Sequence, residues 1–227
     1  MLDMKNEIKT PCLPLESDDY INHVYPDYIS NCKSEKIKSE NLGADFAKIN
    51  ISILDYLKKY HVPVASVKLV DENTVKYLKY TEINFSVRIL NYIDKRTAKI
   101  FSKKENEILD LPVFEYYYGN RRNNLVSESH LISFNLINFD NLKIINRICS
   151  KVNAVLRSYF ERRGEFLGEV MCSFGEHGNK IYLVNDFTPV SLKILNLNKD
   201  NNSIDPYKLE TPSNVKKYTD FILNLIN

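Results

Sequence analysis

The sequence predicts an α+β fold, and three observations carry the prediction. Apolar residues alternate along Ile83, Phe85, Val87 and Ile89, the period of a strand with one buried face. A much longer stretch, Asn141–Arg163, repeats Ile145, Ile148, Val152, Val155, Leu156, Tyr159 and Phe160 at helical spacing. Strand-like segments adjoin one another across short turns while the helices stand apart from them. This order suits antiparallel or mixed sheets with flanking helices better than a repeating βαβ pattern.

In chain order, residues 1–40 are polar and poorly periodic, with Pro11, Pro14 and Pro26 breaking any helix, and residues 1–24 of this stretch read as an irregular arm. A strand is expected near His23–Ile29. The first helix carries Phe46, Ile49, Ile53, Leu54 and Leu57, has Lys58 and Lys59 at its dipole-favoured end, and stops before Pro63. Val64–Val70 and Val75–Tyr80 read as strands around the turn Asp71-Glu72-Asn73, followed by the strand Ile83–Leu90. A short helix over Lys95–Ser102 leads to the strand Leu111–Tyr118 and a polar loop containing Arg121 and Arg122. After the long helix, Gly164 reads as its C-cap. Phe166–Phe174 and Lys180–Phe187 read as a hairpin around Gly175-Glu176-His177-Gly178. Val215, Tyr218, Ile222 and Leu225 mark a terminal helix.

Composition narrows the function classes. With 31 Lys+Arg against 29 Asp+Glu, the 227-residue chain has no basic excess to attract nucleic acid. It contains only 6 Gly, and none forms the clustered loops that cradle phosphates. Met1–Thr10 lacks the apolar core of a signal peptide, and no run is long enough for a membrane-spanning helix, so a cytoplasmic setting away from membranes is expected. Cys12, Cys32, Cys149 and Cys172 show no metal-ligand spacing, which fits reduced thiols.

Few residues stand out for chemistry. His23, His61, His130 and His177 are scattered, with no pair at metal-binding spacing, and surface or capping roles are expected. Cys149 and Cys172 fall on core-facing positions. The mixed-charge run Lys33–Lys38 reads as a solvated face. Two features are less ordinary. Glu169 and Asp186 lie on adjacent segments of the expected hairpin and could converge on one cation. Arg88 interrupts an apolar alternating strand; on the buried side it would require an anion, either a carboxylate partner or a ligand phosphate.

In order, several segments resemble the SAICAR synthetase family, the ATP-dependent ligases of purine synthesis that join aspartate to a carboxylated aminoimidazole ribotide. The resemblance runs from about residue 24 to the C-terminus. Ile53–Pro63 (ILDYLKKYHVP) resembles the family's first helix and its "GIP" exit, and Val75–Arg88 (VKYLKYTEINFSVR) resembles VKKVEIIPLEVVVR. Leu111–Tyr118 (LPVFEYYY) is similar to PPVVEFYY, and Leu125–His130 (LVSESH) to LINEDH. Lys151–Phe160 (KVNAVLRSYF) is similar to KINEVLKEFF, Phe166–Gly175 (FLGEVMCSFG) to LVDFKLEFG, and Tyr182–Pro189 (YLVNDFTP) to LLADEISP.

The resemblance implies a two-lobed α+β fold with a cleft between the lobes: an irregular arm over 1–24, an incomplete remnant of the N-terminal ATP lobe over 25–80, and a C-terminal substrate and metal lobe over 81–227. It implies ATP and Mg²⁺ as cofactors, with ATP, aspartate and the ribotide as small-molecule partners. Arg88, Lys95, Arg96, His130 and Lys193 become substrate-binding candidates; Glu169 and Asp186 become metal or nucleotide candidates. Departures from the family pattern are concentrated at polar positions. No glycine-rich YEGKAK hairpin occurs in Met1–Tyr25, and the family's adenine-side and following glutamates fall at Lys79 and Asn84. The RNxxxGS loop lacks its glycine and serine. The aspartate, lysine and glutamate of DFKLEFG fall at Glu169, Met171 and Ser173. The first aspartate, glutamate and last aspartate of ADEISPD fall at Asn185, Asp186 and Val190, and the arginine that follows falls at Lys193. Replacing carboxylates by amide, hydroxyl and alkyl groups weakens any Mg²⁺ site. The leading expectation is a diverged member with weak or no ligase activity, a pseudoenzyme that binds residual nucleotide, a partner protein or another copy of itself. A working ligase with rearranged ligands is the second reading. A non-catalytic interaction module displaying Tyr77, Tyr80 and Tyr116–Tyr118 is the third.

Overall fold

A computed structural model describes residues 13–16, 19–30, 36–119, 124–196 and 205–227. Arg121, Arg122, Cys12 and Cys32 lie outside the described residues. The first half of the chain builds a four-stranded antiparallel sheet in the order β1-β2-β6-β5, from β1 (Leu13–Glu16), β2 (Tyr20–Val24), β5 (Ser66–Asp71) and β6 (Thr74–Leu78). A small ribbon, β3 (Tyr28–Ser30) with β4 (Lys36–Lys38), and the helix α1 (Leu42–Lys59) lie between β2 and β5 in sequence. The irregular arm expected over 1–24 is therefore corrected. Its described part is a hairpin whose register pairs Leu13 with Val24 and Glu16 with Ile21. Pro14 falls on the outermost strand, where a missing N–H is tolerated, and Ile21 supplies the buried position. The strand expected near His23–Ile29 divides in two around Pro26.

The second sheet follows the order β11-β10-β7-β8-β9, with β12 also paired to β10. Its long strands are β7 (Thr81–Tyr92), β8 (Ile108–Tyr118) and β10 (Phe166–His177); β9 (Leu125–Val126), β11 (Lys180–Leu183) and β12 (Leu192–Leu195) are short. The helix α2 (Lys95–Phe101) joins β7 to β8, and α3 (Glu128–Ser133) precedes the long α4 (Phe139–Glu161). The terminal helix α5 (Pro212–Ile226) starts at a Thr211 cap with proline in its first turn. The hairpin turn expected over 175–178 sits further along, at Gly178-Asn179. Both residues have positive φ, 56° and 61°, the twist-matching geometry of a two-residue hairpin. Among the described residues, no helix is long and apolar enough to cross a membrane.

The strand period gives the second sheet two unlike faces. One face presents Phe85, Val87, Ile89, Val170, Cys172 and Phe174, which join Ile145, Ile148, Cys149, Val152 and Leu156 of α4 in one buried core. The expected core roles of Cys149 and Cys172 agree: both thiols are free and buried, and burial with a Cys172 contact pushes the Cys149 thiol well up. The other face carries Ser86 and Arg88 from β7, Glu115 from β8, Glu169, Met171 and Ser173 from β10, and Lys193 from β12. Pairing places Arg88 beside Glu115 and Met171, and Glu169 beside Lys193. This polar face, with the segment that joins β11 to β12, is where chemistry can be gathered.

Candidate functional site

Arg88 is the hub of the polar face. Its Nη1 donates to Asp94 Oδ2 at 2.8 Å and Glu115 Oε2 at 3.2 Å, and its Nη2 donates to Glu169 Oε2 at 2.6 Å. Strand register makes this inevitable. Glu115 lies directly opposite on β8, and Glu169 lies diagonally across on β10. Asp94 does two jobs, capping α2 by accepting from the Thr97 N–H at 2.8 Å while it pairs with Arg88. Of the two anions the sequence left open for Arg88, the protein supplies carboxylates.

Further groups close the cluster. Arg96, on the exposed side of α2, pairs with Glu115, and the Tyr117 hydroxyl donates to Glu115 Oε2 at 2.7 Å. Tyr207 crosses from the segment before α5, and its hydroxyl donates to Glu169 Oε2 at 3.1 Å while accepting from Tyr92. Lys193 is buried, donates to the carbonyls of Pro189 and Pro206 at 2.8 Å each, and lies over the Tyr207 ring. Burial opposes the Arg88 charge, but Glu169 and then Asp94 outweigh it and hold the guanidinium more firmly protonated than usual. Burial also raises the Asp94 carboxyl, yet the Thr97 and Arg88 donors bring it below its ordinary value. Burial and Glu115 push the Tyr117 hydroxyl up to about 12.

Asp186 lies in a second cluster, between the two sheets. The Tyr25 hydroxyl donates to its Oδ1 at 2.6 Å. Asn50 of α1 donates to the Tyr25 and Tyr77 hydroxyls and accepts from the Phe187 N–H at 2.8 Å, and Tyr77 donates to the Asn185 carbonyl. These bonds tie α1, the residue after β2, and β6 to the segment after β11. Burial pushes the Asp186 carboxyl up, a tendency opposed by nearby His23 and the Tyr25 hydroxyl. His23, whose ring lies 4.5 Å from that of Tyr77 at a 34° tilt, is itself lowered by burial.

Of the candidates read from sequence, Arg88, Arg96, Glu169 and Lys193 gather on one face. Lys95 is exposed at the start of α2. His130 lies elsewhere, on exposed α3, where its Nδ1 accepts from the Ser127 N–H within a capping box. Of the tyrosines considered for display, Tyr77, Tyr116 and Tyr117 are buried. Sequence reasoning missed Glu115, Asp94, Tyr207 and the Tyr25–Asn50–Tyr77 relay. Glu115 had a usable signal, a carboxylate in the otherwise apolar LPVFEYYY; the others depend on pairings remote in sequence.

These residues do not fit the divalent metal that the resemblance implies. Glu169 is committed to Arg88 and Tyr207, and Asp186 to Tyr25. Asn185 stitches the sheet: its Oδ1 accepts from the Ser173 N–H at 2.7 Å and its Nδ2 donates to the Met171 carbonyl at 2.6 Å. Both ends of that amide are in use, and an ionised carboxylate, which only accepts, could not make both bonds. Asn185→Asp would place a carboxylate against the Met171 carbonyl. It should cost about 1–3 kcal/mol in urea unfolding at neutral pH; an unchanged midpoint would contradict this role.

A model of the SAICAR synthetase family matches residues 14–209. The phosphoribosylaminoimidazole-succinocarboxamide synthase of Wigglesworthia glossinidia brevipalpis is 29% identical over 145 residues, 62% of this chain and 60% of that protein. The synthase of Proteus mirabilis is 24% identical over 193 residues, 84% of this chain and 80% of that protein. In structure, the chain matches the synthase of Ehrlichia chaffeensis with a TM-score of 0.86 at 20% identity, covering 98% of each chain. It matches a SAICAR synthetase in complex with ADP with a TM-score of 0.86 at 19% identity, covering 97% of each chain. With the family model spanning most of its length, the chain belongs to the SAICAR synthetase family.

Proposed function

We propose that this family member has little or no SAICAR-forming activity. The observation that carries the reading is Asn185. It stands where the family pattern has a carboxylate, and both ends of its amide are spent on the backbone of β10. Glu169, the neighbouring candidate, is engaged by Arg88 at 2.6 Å. A ligase that activates a carboxylate with ATP must neutralise charge on the transferring phosphoryl group, and a bound cation ordinarily contributes several kcal/mol to that step. Here the side chains that would hold the cation hold the protein together instead. The fold is one in which a relative carries ADP, which supports testing adenine-nucleotide binding separately from turnover.

The decisive experiment measures SAICAR formation from ATP, aspartate and the carboxylated ribotide with excess Mg²⁺, alongside a catalytically competent family member. The expected rate is at least about a thousandfold lower, equivalent to a loss of about 4 kcal/mol of transition-state stabilisation. A rate within tenfold of the competent enzyme would overturn the reading. A thermal-shift series with ADP, with and without Mg²⁺, separates binding from chemistry: ligand that binds the native state raises the midpoint by mass action.

A further inference from the structure

We propose that Glu169 is a resident anion that excludes phosphate monoesters from Arg88, and that Tyr207 is its cover. Arg88 is only 12% exposed and faces Asp94, Glu115 and Glu169. With Arg96 on Glu115 and Lys193 paired beside Glu169, three carboxylates meet three cations, so the charge of the cluster is already balanced. An incoming dianion would find no net positive charge and would have to displace a carboxylate bonded at 2.6 Å. Among the described residues, Arg88 Nε is buried and makes no hydrogen bond, while Nη1 and Nη2 both donate to carboxylates. Tyr207 completes the exclusion. Its hydroxyl is fixed between Tyr92 and Glu169, and the residue as a whole is 40% exposed, so it stands between the cluster and solvent.

Glu169 and Arg88 therefore set specificity by opposition: the site rejects phosphate-bearing small molecules because it contains its own anion. This rests in part on the reading that the chain does not turn over the phosphorylated ribotide. Its test, however, uses neither ATP nor that ribotide, so the two can fail separately.

Ribose 5-phosphate serves as the probe, titrated at low salt into the full-length wild type and Glu169→Gln. The readouts are the dissociation constant from calorimetry and the Arg88 Nε–H signal in an arginine-selective NMR spectrum, assigned with Arg88→Lys. The isosteric glutamine removes the charge and keeps an acceptor for Arg88. The expected result is at least about tenfold tighter binding than wild type, with the Arg88 Nε–H signal moving as the probe is added. Equal affinity in the two proteins would overturn the proposal, and so would a gain in affinity without movement of the Arg88 signal. If Glu169→Gln does not fold, Glu169→Asp carries the test, since it keeps the charge and withdraws it by one methylene. A smaller gain that moves the same signal supports the proposal; no gain overturns it.

Discussion

Replacing Arg88 with methionine should destabilise the protein by about 3–5 kcal/mol, because removing one member of a buried ionic cluster leaves its partners uncompensated. Asp94, Glu115 and Glu169 have side-chain exposures of 13%, 10% and 0%, so water cannot replace the guanidinium. Methionine fills much of the arginine's volume, which isolates charge from packing. Urea unfolding at pH 7 gives the main comparison, and the pH dependence provides a second. The Asp94 carboxyl lies below its ordinary value in the folded protein. Its contribution is therefore present above the unfolded value of about 3.9 and is lost as pH falls through the lower folded value. In the methionine variant the Arg88 part of that contribution is gone while the Thr97 cap remains, so the difference from wild type should narrow as pH falls below about 4. Arg88→Lys should lie between the two, since one ammonium cannot reproduce a two-nitrogen fork. A loss under about 1 kcal/mol in the methionine variant would mean that the cluster is not the hub described here.

Gly43→Ala should cost about 3 kcal/mol or more, for a purely steric reason. An added Cβ at Gly43 would lie 2.1 Å from the Tyr25 carbonyl oxygen, and that oxygen belongs to the backbone. It cannot rotate away as a side chain could. The close approach has a structural purpose. The Gly43 N–H donates to Asp27 Oδ1 at 2.8 Å, fastening the start of α1 to the segment after β2. Tyr25, on the same segment, leads the relay through Asn50 and Asp186. Displacing it should loosen the tie between the two sheets, so the alanine variant should lose the midpoint of thermal unfolding and gain amide exchange along α1. An unaltered melting curve would refute the close contact. Gly175→Ala should be milder, because its 2.4 Å neighbour is the ring of Tyr80, which can turn.

Much of the fold could be read directly. The period-two stretch around Val87 became β7, the helical stripe around Val152 became α4, and the short helix expected from Lys95 became α2. Those elements declare themselves because burial of one face imposes a local period. The hairpin over 13–24 did not, because proline and short strands hide the alternation and its partner, β6, lies some fifty residues on. The site divides in the same way. The anomaly of Arg88 in an apolar strand was visible, as were the carboxylates Glu169 and Asp186, and their order along the chain carried the family resemblance.

The sequence alone determined which residues could form strands, helices and a polar face, since these depend on neighbours one to four positions apart. Through the family resemblance it also set Asn185, Ser173 and Val190 where the family pattern has carboxylates. Tertiary structure decided what the remaining charges do. Whether Arg88 met a ligand phosphate or a carboxylate depended on cross-strand register, which sets Glu115 opposite it and Glu169 diagonal to it. What Asp186 bonds to depended on Tyr25 and Tyr77 arriving from the first sheet and Asn50 from α1. Charges act through space over a few ångströms, and that distance is set by pairing between strands far apart in the chain.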